Sequence, residues 1–201
     1  MKIGLTGSIA CGKSTVSSFL RKCGYFVADA DAISHALTAE GGAALPSLRA
    51  TFGDRVFSGA MLNRRALGAI VFADPSMRAK LNALLHPMII SEIERQLAMH
   101  DAPGALVFAD IPLLYECGMA EQFDRVWVVA AEEENQLDRL MIRDGLSAEE
   151  ARARIRAQMP LEEKCRRADA VIHTDGSISE TQRQVRCLLA APMQRRQAGS
   201  P

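Results

Sequence analysis

The segment Gly7–Ser14 reads GSIACGKS and contains the most specific motif of the sequence. It follows a short apolar run, KIGLT at positions 2–6, and opens an amphipathic helical pattern, TVSSFL at positions 15–20. The segment matches the GxxxxGK[ST] spacing of a phosphate-binding loop without a gap. Glycines allow such a loop to curl so that several backbone N–H groups face one phosphate chain, at the positive end of a helix. The segment therefore predicts a nucleoside-triphosphate site.

The residues of this loop divide between nucleotide binding and catalysis. Lys13 is expected to reach the β- and γ-phosphates of ATP and to act in catalysis, while the hydroxyl of Ser14 is expected to bind Mg²⁺. Cys11 lies near a helix N-terminus, which favours a thiolate, so we expect it to be alkylated first and to be protected by Mg-ATP. The alternative for Cys11 is a small buried side chain that reacts slowly. The predicted nucleotide-binding residues are Gly7, Ala10, Cys11, Gly12, Lys13, Ser14 and Thr15.

Composition is that of an ordinary globular protein. The 201 residues suffice for one sizeable domain, and 48% of them are hydrophobic. Basic and acidic residues number 24 each, which argues against a nucleic-acid binder or a membrane-surface protein. No apolar run approaches the ~20 residues of a membrane span, and the strand-like N-terminus is not a signal peptide. Five scattered cysteines without a CxxC pair indicate reduced thiols rather than zinc ligands, and therefore a cytoplasmic protein. We expect a monomer or a weak homo-oligomer.

Five apolar runs predict an α/β fold. Their hydrophobic residues are nearly continuous, as in strands that are buried on both faces of a sheet. Helical patterns separate them, which favours a parallel sheet with right-handed crossovers. The predicted strands are KIGLT, YFVAD (25–29), GALVFAD (104–110), RVWVVAA (125–131) and AVIHT (170–174).

Two long insertions interrupt this alternation of strands and helices within a single predicted domain. Residues 32–101 contain helical patterns at 44–52, 63–72 and 75–97, and we predict that this span forms a helical subdomain. Residues 132–168 are rich in arginine and are predicted to form a lid, with a helix start marked by Ser147 and by Glu150 three residues later. The predicted nucleotide-binding core comprises 1–31, 102–131 and 169–193, and a flexible tail is expected at 194–201.

A kinase fits the sequence better than a GTP-binding switch. No NKxD-type guanine reader follows the run at 125–131, and no switch segment is evident. Arg139 and Arg143 lie four residues apart on one helix face of the lid, where they could neutralise phosphate charge during transfer. A solvated charged face is the alternative for this pair. For Lys164, Arg166 and Arg167 a solvated surface is as good an interpretation as a functional one.

Carboxylates end two of the predicted strands. Asp29 and Asp31 follow the second strand, and ligands of parallel sheets lie beyond the carboxyl ends of the strands. One of the two could accept a proton from an attacking hydroxyl, and the alternative is that either caps the next helix. Asp110 ends the third strand, where a Mg²⁺-side carboxylate is expected, although a turn before Pro112 would also use an aspartate.

Six blocks of the sequence are more specific together than the phosphate loop alone: GLTGSIACGKSTVSSFL, VADADAISH, LNALLHPMI, DIPLLYE, LDRLMIRDGLSAEEARARIRAQMP and ADAVIHTDG. Together they resemble the dephospho-coenzyme A kinase family, in that family's order and spacing from Met1 to about Leu189. The resemblance implies a P-loop kinase core of about five parallel strands with flanking helices, a helical substrate-binding insertion and a lid, with residues 32–101 as the helical acceptor-binding insertion. It implies transfer of the ATP γ-phosphate to the ribose 3′-hydroxyl of dephospho-coenzyme A, the last step of coenzyme A biosynthesis, with Asp31 as the general base.

Further residues are expected on the acceptor side, and one block departs from the family. His173 and Thr174 of IHTDG stand where the family often has an asparagine near the adenine. Another small P-loop kinase acting on a nucleotide or small metabolite is the alternative enzyme, and a nucleotide switch or assembly ATPase is the alternative of another class. The predicted substrate-binding residues are Asp29, His86, Pro112, Leu113 and Leu114.

Overall fold

The computed structural model describes residues 1–192, and the predicted tail 194–201 lies outside these described residues. Contacts divide the chain into two compact units. The first unit comprises Met1–Ala28 and the chain from Met99 onward, and the second comprises Asp29–Ala98. The second unit contains most of the predicted insertion 32–101, whose acceptor-binding role stays a prediction.

A five-stranded sheet forms the centre of the first unit and confirms the predicted α/β class. In chain order its strands are β1 (Lys2–Gly7), β2 (Phe26–Asp29), β5 (Val107–Asp110), β6 (Arg125–Ala130) and β7 (Ala170–His173). Across the sheet the order is β2-β5-β1-β6-β7. The central β1 pairs in parallel with β5 and β6, and β6 pairs in parallel with β7.

The sheet is apolar because it is covered on both faces. Phe108 of β5 and Trp127 of β6 are completely or almost completely buried, and their rings meet edge to face with centroids 5.4 Å apart. Ile3 and Leu5 of β1 are also fully buried. This burial explains why the strand sequences show runs of hydrophobic residues and not an alternating pattern.

Within residues 1–192, five α-helices complete the first unit. The predicted start of α7 is confirmed, because Ser147 accepts from the Glu150 N–H and Glu150 accepts from the Ser147 N–H. Ser177 and Glu180 form the same capping box before α9, which the S-x-x-E spacing could have predicted. The helices are α1 (Lys13–Lys22), α6 (Glu133–Asp144), α7 (Ala148–Arg156), α8 (Leu161–Arg167) and α9 (Ile178–Ala190).

The second unit is helical and has its own core. The predicted helices at 44–52, 63–72 and 75–97 are present, with ends shifted by at most three residues. The two-residue strands of a small hairpin are too short to show a sequence period, and they were not predicted. The elements are α2 (Ala30–Leu37), α3 (Leu45–Phe52), β3 (Phe57–Ser58), β4 (Met61–Leu62), α4 (Arg64–Ala73) and most of α5 (Pro75–His100). Within residues 1–192, no helix combines the length and the apolar character needed to cross a bilayer.

Candidate active site

The phosphate loop joins the end of β1 to the start of α1. A Cβ atom on Gly7 would lie 2.5 Å from both the Val129 carbonyl oxygen and the Cys11 sulfur, so only glycine fits there. Gly12 takes a left-handed conformation with φ of 83°. Ala10, with φ of 59°, is the one non-glycine residue with positive φ in the described part of the chain. That conformation costs an alanine about 1–2 kcal/mol, and strain of this kind is typical of functional loops.

Helix α1 begins in a way that suits an anion. Gly12 occupies its N-cap position and provides no side-chain cap, and no acidic residue lies in the first turn. The positive end of the helix therefore has neither a side-chain cap nor an acidic residue of its own first turn, which leaves its N–H groups suited to an anion. The side chain of Lys13 and the exposed hydroxyl of Ser14 lie at this end, next to the loop. The residues predicted to bind nucleotide thus all lie in this loop and in the first turn of the helix that follows it.

Lys13 forms an ion pair with Asp110. Asp110 ends β5, the strand next to β1, and only 4% of its surface is exposed. A carboxylate this buried needs a positively charged partner, and the phosphate-loop lysine provides it. The structure therefore brings the predicted Asp110 to the phosphate loop. Its carboxylate and the Ser14 hydroxyl are oxygen ligands of the kind that Mg²⁺ prefers.

Arg139 of the predicted lid also lies at the loop, and it does so through Thr174. Its guanidinium donates to the Thr174 carbonyl at 2.6 Å, to the Thr174 hydroxyl at 3.1 Å and to the Ala10 carbonyl at 3.5 Å. The Thr174 hydroxyl in turn donates to the Cys11 carbonyl at 2.7 Å. Thr174 therefore connects α6 to the phosphate loop.

Arg143 has a different environment from Arg139. It donates to the Asp144 carboxylate at 2.8 Å, and its side chain is 58% exposed. The hydrogen bond from Arg143 lowers the pKa of Asp144, which also pairs with Arg154. Of the two predicted lid arginines, the structure brings Arg139 to the loop and leaves Arg143 in a surface ion pair.

The environment of Cys11 in the structure contradicts the expectation that its thiol is reactive. Its side chain is buried within the loop, with 1% exposure. Burial raises the pKa of the Cys11 thiol to about 11, and a backbone hydrogen bond from Lys13 and the charges of Lys13 and Lys164 oppose this rise only in part. Desolvation of the thiolate outweighs the positive helix end, so the alternative of a small buried side chain is the one that holds.

The segment that follows β5 contacts the strand that leads into the phosphate loop. The Pro112 carbonyl accepts from the Thr6 hydroxyl at 3.0 Å, and Leu113 is exposed. Leu114 was predicted for an acceptor pocket wall, but it is fully buried and packs so closely on Gly4 that a Cβ there would lie 2.5 Å from its side chain. Leu114 therefore belongs to the core, because the absence of a side chain at Gly4 leaves space that it fills.

The remaining predicted site residues belong to the second unit. The Asp29 carboxylate accepts from the Ala32 N–H at 3.0 Å and caps α2, so the capping alternative holds for this residue. Asp31 lies in the first turn of the same helix. His86 is half-buried in α5, which continues through Pro87.

Gln158 was not predicted as a site residue, and the solvated surface that was one interpretation of Lys164 is wrong. Lys164 is completely buried, and its ammonium donates to the carbonyls of Gly7 and Pro112 at 3.3 Å each. The Gln158 amide oxygen accepts from the Ile9 N–H at 2.9 Å. Lys164 sits in the highly charged sequence EEKCRR, where a local pattern gives no sign of burial. For Gln158 no local signal exists.

Together, the strand, glycine-rich loop and helix, with a lysine paired to a carboxylate at the end of the neighbouring strand, define a P-loop nucleotide-binding protein. Comparison with known proteins narrows the class, because the family model for dephospho-CoA kinase matches residues 1–180. The chain belongs to the dephospho-CoA kinase family.

Individual relatives agree with this assignment. A dephospho-CoA kinase of Symbiobacterium thermophilum is 51% identical over 185 residues, which cover 91% of this chain and 77% of that protein. The crystal structure of TT1252 from Thermus thermophilus is 41% identical, covers 94% of this chain and 96% of its own, and has a TM-score of 0.81. A dephospho-CoA kinase from Campylobacter jejuni is 31% identical with the same coverage and a TM-score of 0.72.

Proposed function

We propose that this chain transfers the γ-phosphate of ATP to the ribose 3′-hydroxyl of dephospho-coenzyme A, giving coenzyme A and ADP in the last step of coenzyme A biosynthesis. The observation that carries the proposal is the family match, which spans residues 1–180 and thus includes the phosphate loop and the sequence Asp29-Ala30-Asp31, called the DAD block below. The geometry of the loop supports an ATP site, and the lysine there supports transfer over simple binding.

The phosphate side of the reaction is assigned to the loop. Phosphoryl transfer depends mainly on positioning and on neutralising charge. Lys13 supplies positive charge and the start of α1 supplies backbone N–H groups. Ser14 and Asp110 are the residues proposed to hold Mg²⁺, which when bound neutralises phosphate charge. Asp110 needs only to exchange part of its contact with Lys13 to do so.

The acceptor side is assigned to Asp31. Of the two carboxylates in the DAD block, Asp29 caps α2, and Asp31, in the first turn of that helix, lies further past the end of β2 and matches the general base of the resembled family. We therefore propose Asp31 as the general base that takes the proton of the attacking hydroxyl. His86, Pro112 and Leu113 are proposed to contact dephospho-coenzyme A, and Asp29 to support this side by fixing α2.

Residues 132–168 are proposed as the lid, with Arg139 as its main phosphate ligand. The support is its place at the phosphate loop, since a guanidinium there needs only a side-chain movement to meet phosphate oxygens. All five cysteines are free thiols, which supports a location in the cytoplasm.

The proposal is tested by incubating the protein with ATP, Mg²⁺ and dephospho-coenzyme A and following the product by mass spectrometry. The expected product carries one additional phosphate, on the 3′-hydroxyl by phosphorus NMR, and Lys13→Ala serves as the control. A panel of nucleoside monophosphates and small alcohols is tested in parallel. Preferential phosphorylation of one of these, or ATP hydrolysis with no phosphorylated acceptor, would contradict the proposal.

A further inference from the structure

The segment 157–160, between α7 and α8, reaches the phosphate loop through Gln158. The amide oxygen of Gln158 accepts from the Ile9 N–H at 2.9 Å and from the Ser8 hydroxyl at 3.3 Å. Ser8 and Ile9 form the first turn of the loop after β1, and they lie about 150 positions from Gln158 in the chain. Since both partners donate, the amide oxygen and not its nitrogen faces the loop.

The backbone beside Gln158 is held in place by a second set of contacts. The N–H of Met159 donates to the Glu116 carboxylate at 3.0 Å. The same carboxylate pairs with the buried ammonium of Lys164 at 2.8 Å, and this ammonium also donates to the Gly7 carbonyl. Gln158 is therefore fixed relative to the start of the phosphate loop by more than its own side chain.

Gln158 contacts the phosphate loop next to Ala10, the residue with the strained backbone conformation. Ala10 follows Ile9 directly and has the left-handed conformation, which persists only where the surroundings hold it. On one side, the Gln158 amide holds the Ile9 N–H. On the other side, Arg139 donates to the Ala10 carbonyl. Because Gln158 and Arg139 both come from residues 132–168, the proposed lid holds the loop at both points.

We infer that Gln158 is a positioning residue for phosphoryl transfer, which holds the first turn of the phosphate loop through the Ile9 N–H and the Ser8 hydroxyl. The effect that we expect on the rate of transfer rests on the proposed function. Transfer is sensitive to small displacements of the loop, because a misplacement of about 1 Å can lower a rate by about 100-fold. Binding of ATP depends on many contacts and is less sensitive to one turn of the loop.

The kinetic test uses Gln158→Leu, which keeps the approximate size of the side chain and removes the acceptor. We expect kcat to fall by about tenfold or more while KM for ATP changes by less than about threefold. Gln122→Leu makes the same chemical change at an exposed position of the first unit and should leave both constants unchanged. In a double-mutant cycle, Ser8→Ala should cost activity alone but little on the Gln158→Leu background.

A readout that needs no acceptor separates this inference from the proposed function. Hydrogen exchange of the Ile9 amide, followed by NMR, should become faster in Gln158→Leu. It should remain slow in Gln158→Glu, which keeps oxygen acceptors at the same distance, and in Gln122→Leu. Failure of the wild-type protein to phosphorylate dephospho-coenzyme A would contradict the proposed function alone. Unchanged Ile9 exchange in Gln158→Leu, additive effects in the cycle, or a higher kcat would overturn the role of Gln158.

Discussion

The ammonium nitrogen of Lys164 lies 2.8 Å from a carboxylate oxygen of Glu116, and the lysine side chain is completely buried. Two backbone carbonyls, those of Gly7 and Pro112, complete the three acceptors that an ammonium requires. Removing an ammonium from water costs several kcal/mol unless such partners are present. The pair therefore joins α8, the segment after β5 and the beginning of the phosphate loop.

Lys164→Met should destabilise the protein strongly. It keeps the length of the side chain but removes the cation that pairs with Glu116 and one donor from each of the Gly7 and Pro112 carbonyls. We expect a loss of about 3 kcal/mol in the free energy of unfolding, the lower end of the range for breaking a buried pair, because the Glu116 side chain is 22% exposed. Urea denaturation measures this loss.

The exposed Lys22 provides the matched control for this experiment. Lys22→Met should change the free energy of unfolding by no more than about 0.5 kcal/mol. Adding Glu116→Leu to Lys164→Met should recover part of the stability, since no uncompensated carboxylate remains. Equal losses at Lys22 and Lys164 would show that the buried pair contributes nothing specific.

Cys11 should be the slowest of the cysteines to react. With a pKa of about 11, only about one molecule in a thousand carries its thiolate at pH 8, and burial further restricts access. Cys23 and Cys187 are exposed and should be alkylated first. Brief alkylation followed by peptide mapping gives the order directly. The loop geometry would be wrong if Cys11 were labelled before the two exposed thiols.

Lys13→Ala should lower transfer more than it lowers ATP affinity. A charged hydrogen bond contributes about 1.5–3 kcal/mol, and charge moves toward the bridging oxygen in the transition state. We expect kcat to fall by roughly tenfold to a hundredfold, measured beside calorimetric ATP affinity. Because this substitution leaves the buried Asp110 without its cation, Lys13→Ala/Asp110→Asn serves as the second variant. A wild-type kcat in both variants would contradict the assignment of Lys13.

Arg139→Ala and Arg143→Ala should have different effects, although the sequence predicts the same role for both arginines. Arg139 contacts the loop and Thr174, so its loss should lower kcat by about tenfold or more. Arg143 forms an exposed ion pair with Asp144, a type of contact that contributes about 0–1 kcal/mol, and its loss should change kcat by less than about twofold. Steady-state kinetics of the two variants decides the matter. Equal losses would restore the original expectation that both act on phosphate.

The features predicted correctly from the sequence are those with local causes. The spacing of Gly7, Gly12 and Lys13 determines the loop, and the apolar runs determine the strands. Ser147 and Glu150 cap a helix through residues three positions apart. Each of these patterns is contained within a few consecutive residues.

The features that were missed or wrong depend on contacts between distant residues. Lys164 is buried by partners 157 and 52 positions away, and nothing in EEKCRR reveals this. Cys11 has the positive helix end that the sequence indicates, but the burial that raises its pKa is not visible in the sequence. Leu114 fills space left by Gly4, which is over a hundred positions away.

Asp31→Asn tests the proposed general base. Asparagine has nearly the same shape and can still hydrogen-bond the ribose hydroxyl, but it cannot accept its proton. We therefore expect kcat to fall by roughly 10²–10⁴, the usual span for general-base catalysis, while affinities for ATP and dephospho-coenzyme A stay within a few-fold. Steady-state kinetics and calorimetry measure the two effects.

Asp29→Asn is the matched control, and the structure explains why it should be mild. Asn caps a helix about as well as Asp, so the bond to the Ala32 N–H and the start of α2 are retained. Asp29→Ala removes the cap and should cost about 1 kcal/mol of stability, which separates damage to the helix from damage to the chemistry. If Asp29→Asn loses turnover and Asp31→Asn does not, the base is Asp29. If both remain active, charge neutralisation by Mg²⁺ and Arg139 suffices, and the reaction needs no side-chain base.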